Sequence, residues 1–299
     1  MSLLSELPYR FLKPGKVIVD YGPVTMTIEA YREGKPLPEA LVKGAEVAVA
    51  VLEELAAPPF LQVARRAVAE IASADDAPFP EVLRRMIKAV RMLGEPDFTP
   101  MAAVAGTIAD LVKEAVCAAG ADHAVVNNGG DISLFRREED PPLRVGIVRD
   151  LAEGRVTHVI HILPGRGIGG LATSGLGGRS LTKGVASAVT VLAADSSLAD
   201  AAATAVANAT NCDDPAVERC RAEEIDYFTD IRGHLVTRRV GRLGEAAVEE
   251  ALTRGLERFL QLRARGMPLR GAVLFVQGRM KMWPQNIVRP LTEASLFLP

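Results

Sequence analysis

Between residues 165 and 184 the chain reads Gly-Arg-Gly-Ile-Gly-Gly-Leu-Ala-Thr-Ser-Gly-Leu-Gly-Gly-Arg-Ser-Leu-Thr-Lys-Gly, and eight of these twenty residues are glycine. Glycine loses more backbone freedom on folding than any other residue, so such density needs a structural reason. Two reasons stand open here. One is a surface loop. The other is a cradle in which backbone N–H groups approach an anion, with Arg166, Arg179 and Lys183 interleaved as counter-charges. Gly165-x-Gly167-x-x-Gly170 has the letters of a dinucleotide fingerprint, but it follows Pro164 and leads into Leu-Ala-Thr-Ser-Gly, which carries no helix pattern. The chain has no Gly-Lys-Ser/Thr phosphate loop, and Ser174 is not flanked as in a Gly-x-Ser-x-Gly nucleophile elbow.

Around this centre the periodicity is mixed. Residues 17–31 alternate and are rich in β-branched side chains, which predicts a strand or hairpin. Helical spacing predicts helices over 37–56, from Pro58-Pro59 to about Ile71, from Pro78 and Pro80 to Leu93, and over 100–119. Four short β-rich runs follow at 123–127, 131–135, 143–149 and 156–163, the first two separated by Asn128-Gly129, a strong hairpin signal. Residues 185–194 read as a buried strand, 197–209 and 214–223 as helices, 243–264 as an amphipathic helix and 270–276 as a late strand. Irregular alternation of this kind predicts an α+β fold of sheets with flanking helices, in one domain over 1–299. A helix-rich part covers about 1–120, and a part with the glycine-rich site covers about 121–299.

Two polar constellations are candidates for chemistry. Asp200 and Thr204 lie four apart on a predicted helix and share a face, where a carboxylate and a hydroxyl can hold Mg²⁺. The spacing Ser197-x-x-Asp200 equally fits a helix-capping start, in which Asp200 satisfies the N-terminus of its own helix. Asn127-Asn128-Gly129-Gly130-Asp131 fits a tight hairpin, with Asp131 at a loop–strand junction where a polar ligand can be read. His158 and His161 are three apart in a strand pattern and point to opposite faces, which is poor metal geometry.

Composition narrows the class. With 48% apolar residues, 24% charged and a net charge of −2, the chain can fill a core and carries no basic stripe, so nucleic-acid and membrane surfaces are not expected as partners. Three cysteines without CxxC spacing fit a reduced, cytoplasmic setting. The first residues lack a charged segment followed by an apolar run, so no signal peptide is expected.

As a set, Asn128-Gly129-Gly130-Asp131-Ile132, then Ala172-Thr173-Ser174-Gly175, then Ser187 to Val191, then Asp200 through Thr204, resembles the ApbE superfamily, which includes FAD:protein FMN transferases. Pro100 to Gly106 resembles an uncharacterised, signal-free branch of it. The resemblance implies an ApbE-like layered fold with mixed or antiparallel sheets. It implies FAD or FMN as ligand, and Mg²⁺ held by Asp200 and Thr204 near the backbone of Ala172. Asp131, with Gly129 and Gly130, would then lie at the flavin pocket, and Thr173, Ser174 and Gly175 beside the ligand. The transferases' lysine-glycine pair is here Val104-Ala105-Gly106-Thr107. Their His-x-x-Asp-Pro-x-x-Gly segment is replaced by Leu176 to Ala186, where Arg179 and Lys183 are placed to bind an anion or to stabilise phosphoryl chemistry. The expected activities are Mg²⁺-dependent nucleotidyl or phosphoryl transfer on a small phosphorylated ligand, a non-catalytic flavin- or nucleotide-binding role, or a structural homo-oligomer; a dimer is the default assembly.

Overall fold

Strand and helix periods sort the chain into three layers. The structure, a computed structural model, describes residues 7–71 and 78–291. In chain order the elements are β1 (Tyr9–Lys13), β2 (Lys16–Tyr21), β3 (Val24–Arg32), β4 (Lys35–Pro36), α1 (Pro38–Ala56), α2 (Pro58–Ala64), α3 (Glu81–Leu93), α4 (Val104–Ala118), β5 (His123–Asn128), β6 (Asp131–Phe135), β7 (Leu143–Ile147), β8 (His158–Ile162), β9 (Gly170–Ser174), β10 (Ala188–Ala193), α5 (Ser196–Ala209), β11 (Val217–Arg221), β12 (Leu235–Val240), α6 (Glu245–Ala264), β13 (Leu269–Val276), β14 (Arg279–Trp283) and β15 (Val288–Pro290).

A ten-stranded sheet runs in the order β1-β2-β3-β5-β6-β9-β10-β13-β14, with β4 on β3. A second sheet is β15-β8-β7, and β11 pairs with β12 as a ribbon. Every pairing among the described strands is antiparallel. The large sheet is covered on both faces. On β13, Leu269, Ala272, Leu274 and Val276 join the core under the helices, while Val273 and Phe275 join the core under the small sheet with Ile160 and Ile162. The same alternation divides β10, whose six residues are all buried. An unbroken apolar run is what a strand buried on both faces requires.

The α+β class and antiparallel layers agree with the sequence-based expectation; three local assignments do not. The helix expected through Ile71 ends at Ala64, followed only by a single 3₁₀ turn at Val68–Glu70. The chain is drawn away there because Val68 N–H donates to the Phe98 carbonyl and Ala69 N–H to the Pro96 carbonyl. Residues 217–221, expected within a helix, form β11, because pairing with β12 satisfies their backbone. The glycine-rich segment contains β9 in the middle of the large sheet. A Cβ on Gly170 would stand 2.2 Å from Ser196 N, so this glycine serves the close approach of β9 to the start of α5. Among the described residues no single helix is long and apolar enough to cross a membrane.

Candidate functional site

The site lies at one end of the large sheet. Registers Met26↔Asn128, Asn128↔Asp131 and Val189↔Ser174 bring together the start of β3, the end of β5, the start of β6, the end of β9 and the start of β10. Gly129 and Gly130 form the β5–β6 turn with φ of 67° and 114°, values a side chain would resist. Asn127 Oδ1 accepts from Gly130 N–H and holds that turn.

The helix layer supplies the second half. α4 begins without a side-chain cap of its own. Asp200, on α5, fills that role across the interface: its Oδ2 accepts from Gly106 N–H at 3.0 Å, in the first turn of α4. Asn128 Nδ2 donates to the Ala105 carbonyl in the same turn. Gly106 is required, since a Cβ there would stand 2.2 Å from the Ser196 carbonyl oxygen and 2.9 Å from Asp200 Cβ. Of the two readings of Asp200, the one in which it caps its own helix gives way to a cap on α4. Asp195 caps α5, accepting from Leu198 N–H at 2.8 Å.

Sequence reasoning missed Asp110. It is buried on α4 and accepts from Ser133 Oγ, Ser196 N, Ser197 N and Ser197 Oγ at 2.5, 3.1, 2.8 and 2.6 Å, anchoring the start of α5 to β6. Thr107, Asp110, Lys113 and Glu114 fall three and four apart on one helical face, so the sequence reads Asp110 as part of a solvated side. With Asp110 holding one end and Gly106 allowing contact, α4 and α5 fix Asp200 and Thr204 beside the β5–β6 turn.

These parts border a cavity of about 910 Å³. Asp131, Asp200 and Thr204 line it with Gly129, Gly130 and Thr173, and Ser174, Gly175 and Arg179 lie along the same cavity. Much of the wall is apolar: Leu52, Leu55, Val104 and Ile108 come from the helix layer, Val145 and Ile147 from the small sheet. Asp131 Oδ1 accepts from Thr173 N–H at 3.2 Å, and Thr173 Oγ1 shares a 2.8 Å hydrogen bond with Thr190. Burial pushes the Asp131 carboxyl up to about 7. Asp200 is also raised, first by burial and then by the charge of Asp131, against the opposing hydrogen bonds from Gly106 and Ala105. Two carboxyls that each resist ionisation beside the other form an acidic pole short of positive charge.

One expected residue lies elsewhere. Lys183 does not line the cavity; its Nζ pairs with Asp97 at 2.8 Å, because the chain turns at Thr182–Gly184 to dock on Asn208 and Thr210 of the α5 end. The Ala172 side chain is buried in the helix-side core, while its backbone leads directly into the Thr173 N–H that donates to Asp131 and so runs beside the acidic pole. Among the described residues no group of three or more His, Cys, Asp or Glu is arranged around a metal position. The oxygen set at the acidic pole is two carboxylates and one hydroxyl.

The profile of the family described as AbpE bacteria matches residues 9–282. The chain belongs to this family. The expectation of an ApbE-like protein is thereby met. A UPF0280 protein of Methanosarcina barkeri is 42% identical over 159 residues, covering 52% of this chain and 59% of that protein. A UPF0280 protein of Methanosarcina acetivorans is 44% identical over 140 residues, covering 46% and 53%. The chain thus spans little more than half the length of these curated relatives. Among solved structures, the apo form of Pseudomonas stutzeri flavinyl transferase ApbE superposes with a TM-score of 0.50 at 15% identity, covering 96% of this chain and 98% of that one. At that identity the likeness concerns the fold of this AbpE-family chain.

Proposed function

We propose that this AbpE-family protein binds a flavin nucleotide, FAD or FMN, in the 910 Å³ cavity, with Mg²⁺ at the acidic pole. The observation that carries the reading is the meeting of Asp131, Asp200 and Thr204 at one end of a largely apolar cavity, with both carboxyls raised by burial. Apolar walls suit a ring system, and a few placed polar groups fix its orientation. Three carboxyls, Glu53, Asp131 and Asp200, line the cavity against one cation, Arg179, and burial favours the neutral forms of Asp131 and Asp200, so a phosphorylated ligand entering alone finds little positive charge. A divalent cation supplies it. Hard oxygen donors from two carboxylates and a hydroxyl suit Mg²⁺, which commonly keeps its remaining positions for water and ligand phosphate. Asp131, Asp200 and Thr204 would hold it. When bound, it supplies charge neutralisation at the phosphate oxygens. The chain's own residues contribute the rest: α4 and α5 keep Asp200 in place, Thr173 N–H orients Asp131, and the apolar walls exclude water from the ring.

The test is a thermal-shift screen of FAD, FMN, ATP and AMP, each with Mg²⁺ and with a chelator. A ligand that binds only the native state raises Tm in proportion to ln(1 + [L]/Kd). The reading expects the flavins to shift Tm, more strongly with Mg²⁺. No flavin shift under either condition rejects it.

One observation favours binding without transfer. Lys183, one of two cations expected at the ligand, is engaged with Asp97 outside the cavity, leaving Arg179 as the cation on the cavity wall among the described residues. Turnover of FAD to FMN or AMP by the purified protein distinguishes a transferase from a carrier. The same proposal includes one folding unit over residues 1–299 and a dimer in the cytoplasm, the assembly being checked by light scattering.

A further inference from the structure

The segment after β9 lines the cavity through Leu176, Gly178, Arg179 and Ser180. Its stem is held where Leu176 N–H donates to the Ala186 carbonyl, and it turns on Gly175 and Gly177, with φ of 146° and 78°. At its tip the Arg179 guanidinium donates to the carbonyl of Pro23, in the β2–β3 turn. In the sheet, β9 and β3 are separated by β6 and β5, three strand spacings or roughly 14 Å. The 175–180 strap therefore runs from β9 to the β2–β3 turn beyond β6 and β5, and Gly22, Pro23 and Arg179 all line the cavity.

The fastening is chemically poor for an arginine. Guanidinium has five N–H donors in a fork that matches a phosphate or carboxylate. Here it meets a single neutral carbonyl, and among the described residues no carboxylate lies within ion-pair distance of it. Glu53, an acid that also lines the cavity, accepts instead from the Tyr21 hydroxyl at 2.7 Å. A charge-assisted, two-pronged partner is about twice as strong as a neutral one.

We propose that Arg179 is the residue that reads the anionic group of the ligand: on binding, its guanidinium leaves the Pro23 carbonyl for the ligand's phosphate, so the ligand itself takes the place of the latch. This rests on the flavin reading above and adds a specificity to it, for phosphorylated over unphosphorylated flavin. The phosphate then has a contact on the strap in addition to the charge neutralisation supplied at the acidic pole.

The experiment titrates FMN and riboflavin, followed by flavin fluorescence, into wild type, Arg179→Met and Arg179→Lys, each with Mg²⁺ and with EDTA. Wild type is expected to bind FMN about tenfold or more tightly than riboflavin, the size of one charge-assisted contact. Arg179→Met should bring the two ligands within about threefold while riboflavin affinity stays at the wild-type level, and Arg179→Lys should fall between, keeping the charge but not the fork. An FMN preference undiminished in Arg179→Met overturns the inference. So does a preference that EDTA abolishes and Arg179→Met does not, which would assign the phosphate to Asp131 and Asp200. A loss of riboflavin binding equal to that of FMN in Arg179→Met also overturns it, making Arg179 a structural tie. If wild type binds neither flavin, the flavin reading fails and the inference with it.

Discussion

Raising the pH from about 5 to about 8 without divalent cations is expected to weaken this fold, and the acidic pole sets the size of the effect. Burial holds the Asp131 carboxyl at about 7, against an ordinary value of 3.8, and Asp200 is raised beside it. A folded-state value above the unfolded one means that the native protein binds the proton more tightly. The stabilisation is then full below the unfolded value and is lost as the pH rises through the folded one. Each tenfold step in proton affinity is about 1.4 kcal/mol, and about two of the roughly three steps at Asp131 fall above pH 5, so its share of the loss over this range is capped at about 3 kcal/mol. Two changes should flatten the curve. Millimolar Mg²⁺ supplies the missing positive charge, and Asp200→Asn removes the neighbouring carboxylate that Asp131 would otherwise face. The assay is urea unfolding across that range, with EDTA and with Mg²⁺, for wild type and Asp200→Asn. Stability of the metal-free protein that is constant or increases with pH would refute the reasoning.

Further outcomes follow from the packing of α4 and α5. Gly106→Ala places a methyl 2.2 Å from a backbone oxygen of α5 and should cost about 1–3 kcal/mol by overpacking, read as a lower urea midpoint at unchanged slope, together with weaker Mg²⁺ response because Asp200 moves. Asp110→Ala leaves the Ser196 and Ser197 N–H groups and the Ser133 hydroxyl without their acceptor in a buried site and should cost about 3 kcal/mol or more in the same measurement. Lys183→Met should leave flavin affinity within about twofold of wild type, since its partner is Asp97 and not the cavity; its surface ion pair is worth at most about 1 kcal/mol of stability.

Much of this architecture was legible because local chemistry announces it. Pro38 and Pro58 stand at the starts of α1 and α2, Gly94 closes α3 in the left-handed conformation, and the Asn128-Gly129 signal marks the β5–β6 hairpin. What was not legible depends on partners distant in sequence. Asp200 reads as a cap for its own helix, and only the fold reveals that it caps α4, ninety-four residues earlier in the chain. The glycines of residues 165–184 look like one ligand loop, yet Gly170 is spent on strand–helix contact and Lys183 is carried away with the turn that docks on α5. Residues 217–221 lack a helix only because β12 is there to pair with them. The site itself was half visible. Asp131, Thr173, Ser174, Arg179, Asp200 and Thr204 do meet at one cavity, whereas Asp110, which holds the helices that bring them there, had no motif to mark it.

Crystals of the protein soaked with Mn²⁺ and FMN test the central claim most directly. Anomalous scattering should place one manganese ion within roughly 2–2.5 Å of carboxylate oxygens of both Asp131 and Asp200 and of the Thr204 hydroxyl, with the flavin ring against the apolar walls. An ordered flavin in the cavity with no metal at these three residues, or a metal bound elsewhere on the chain, would contradict it.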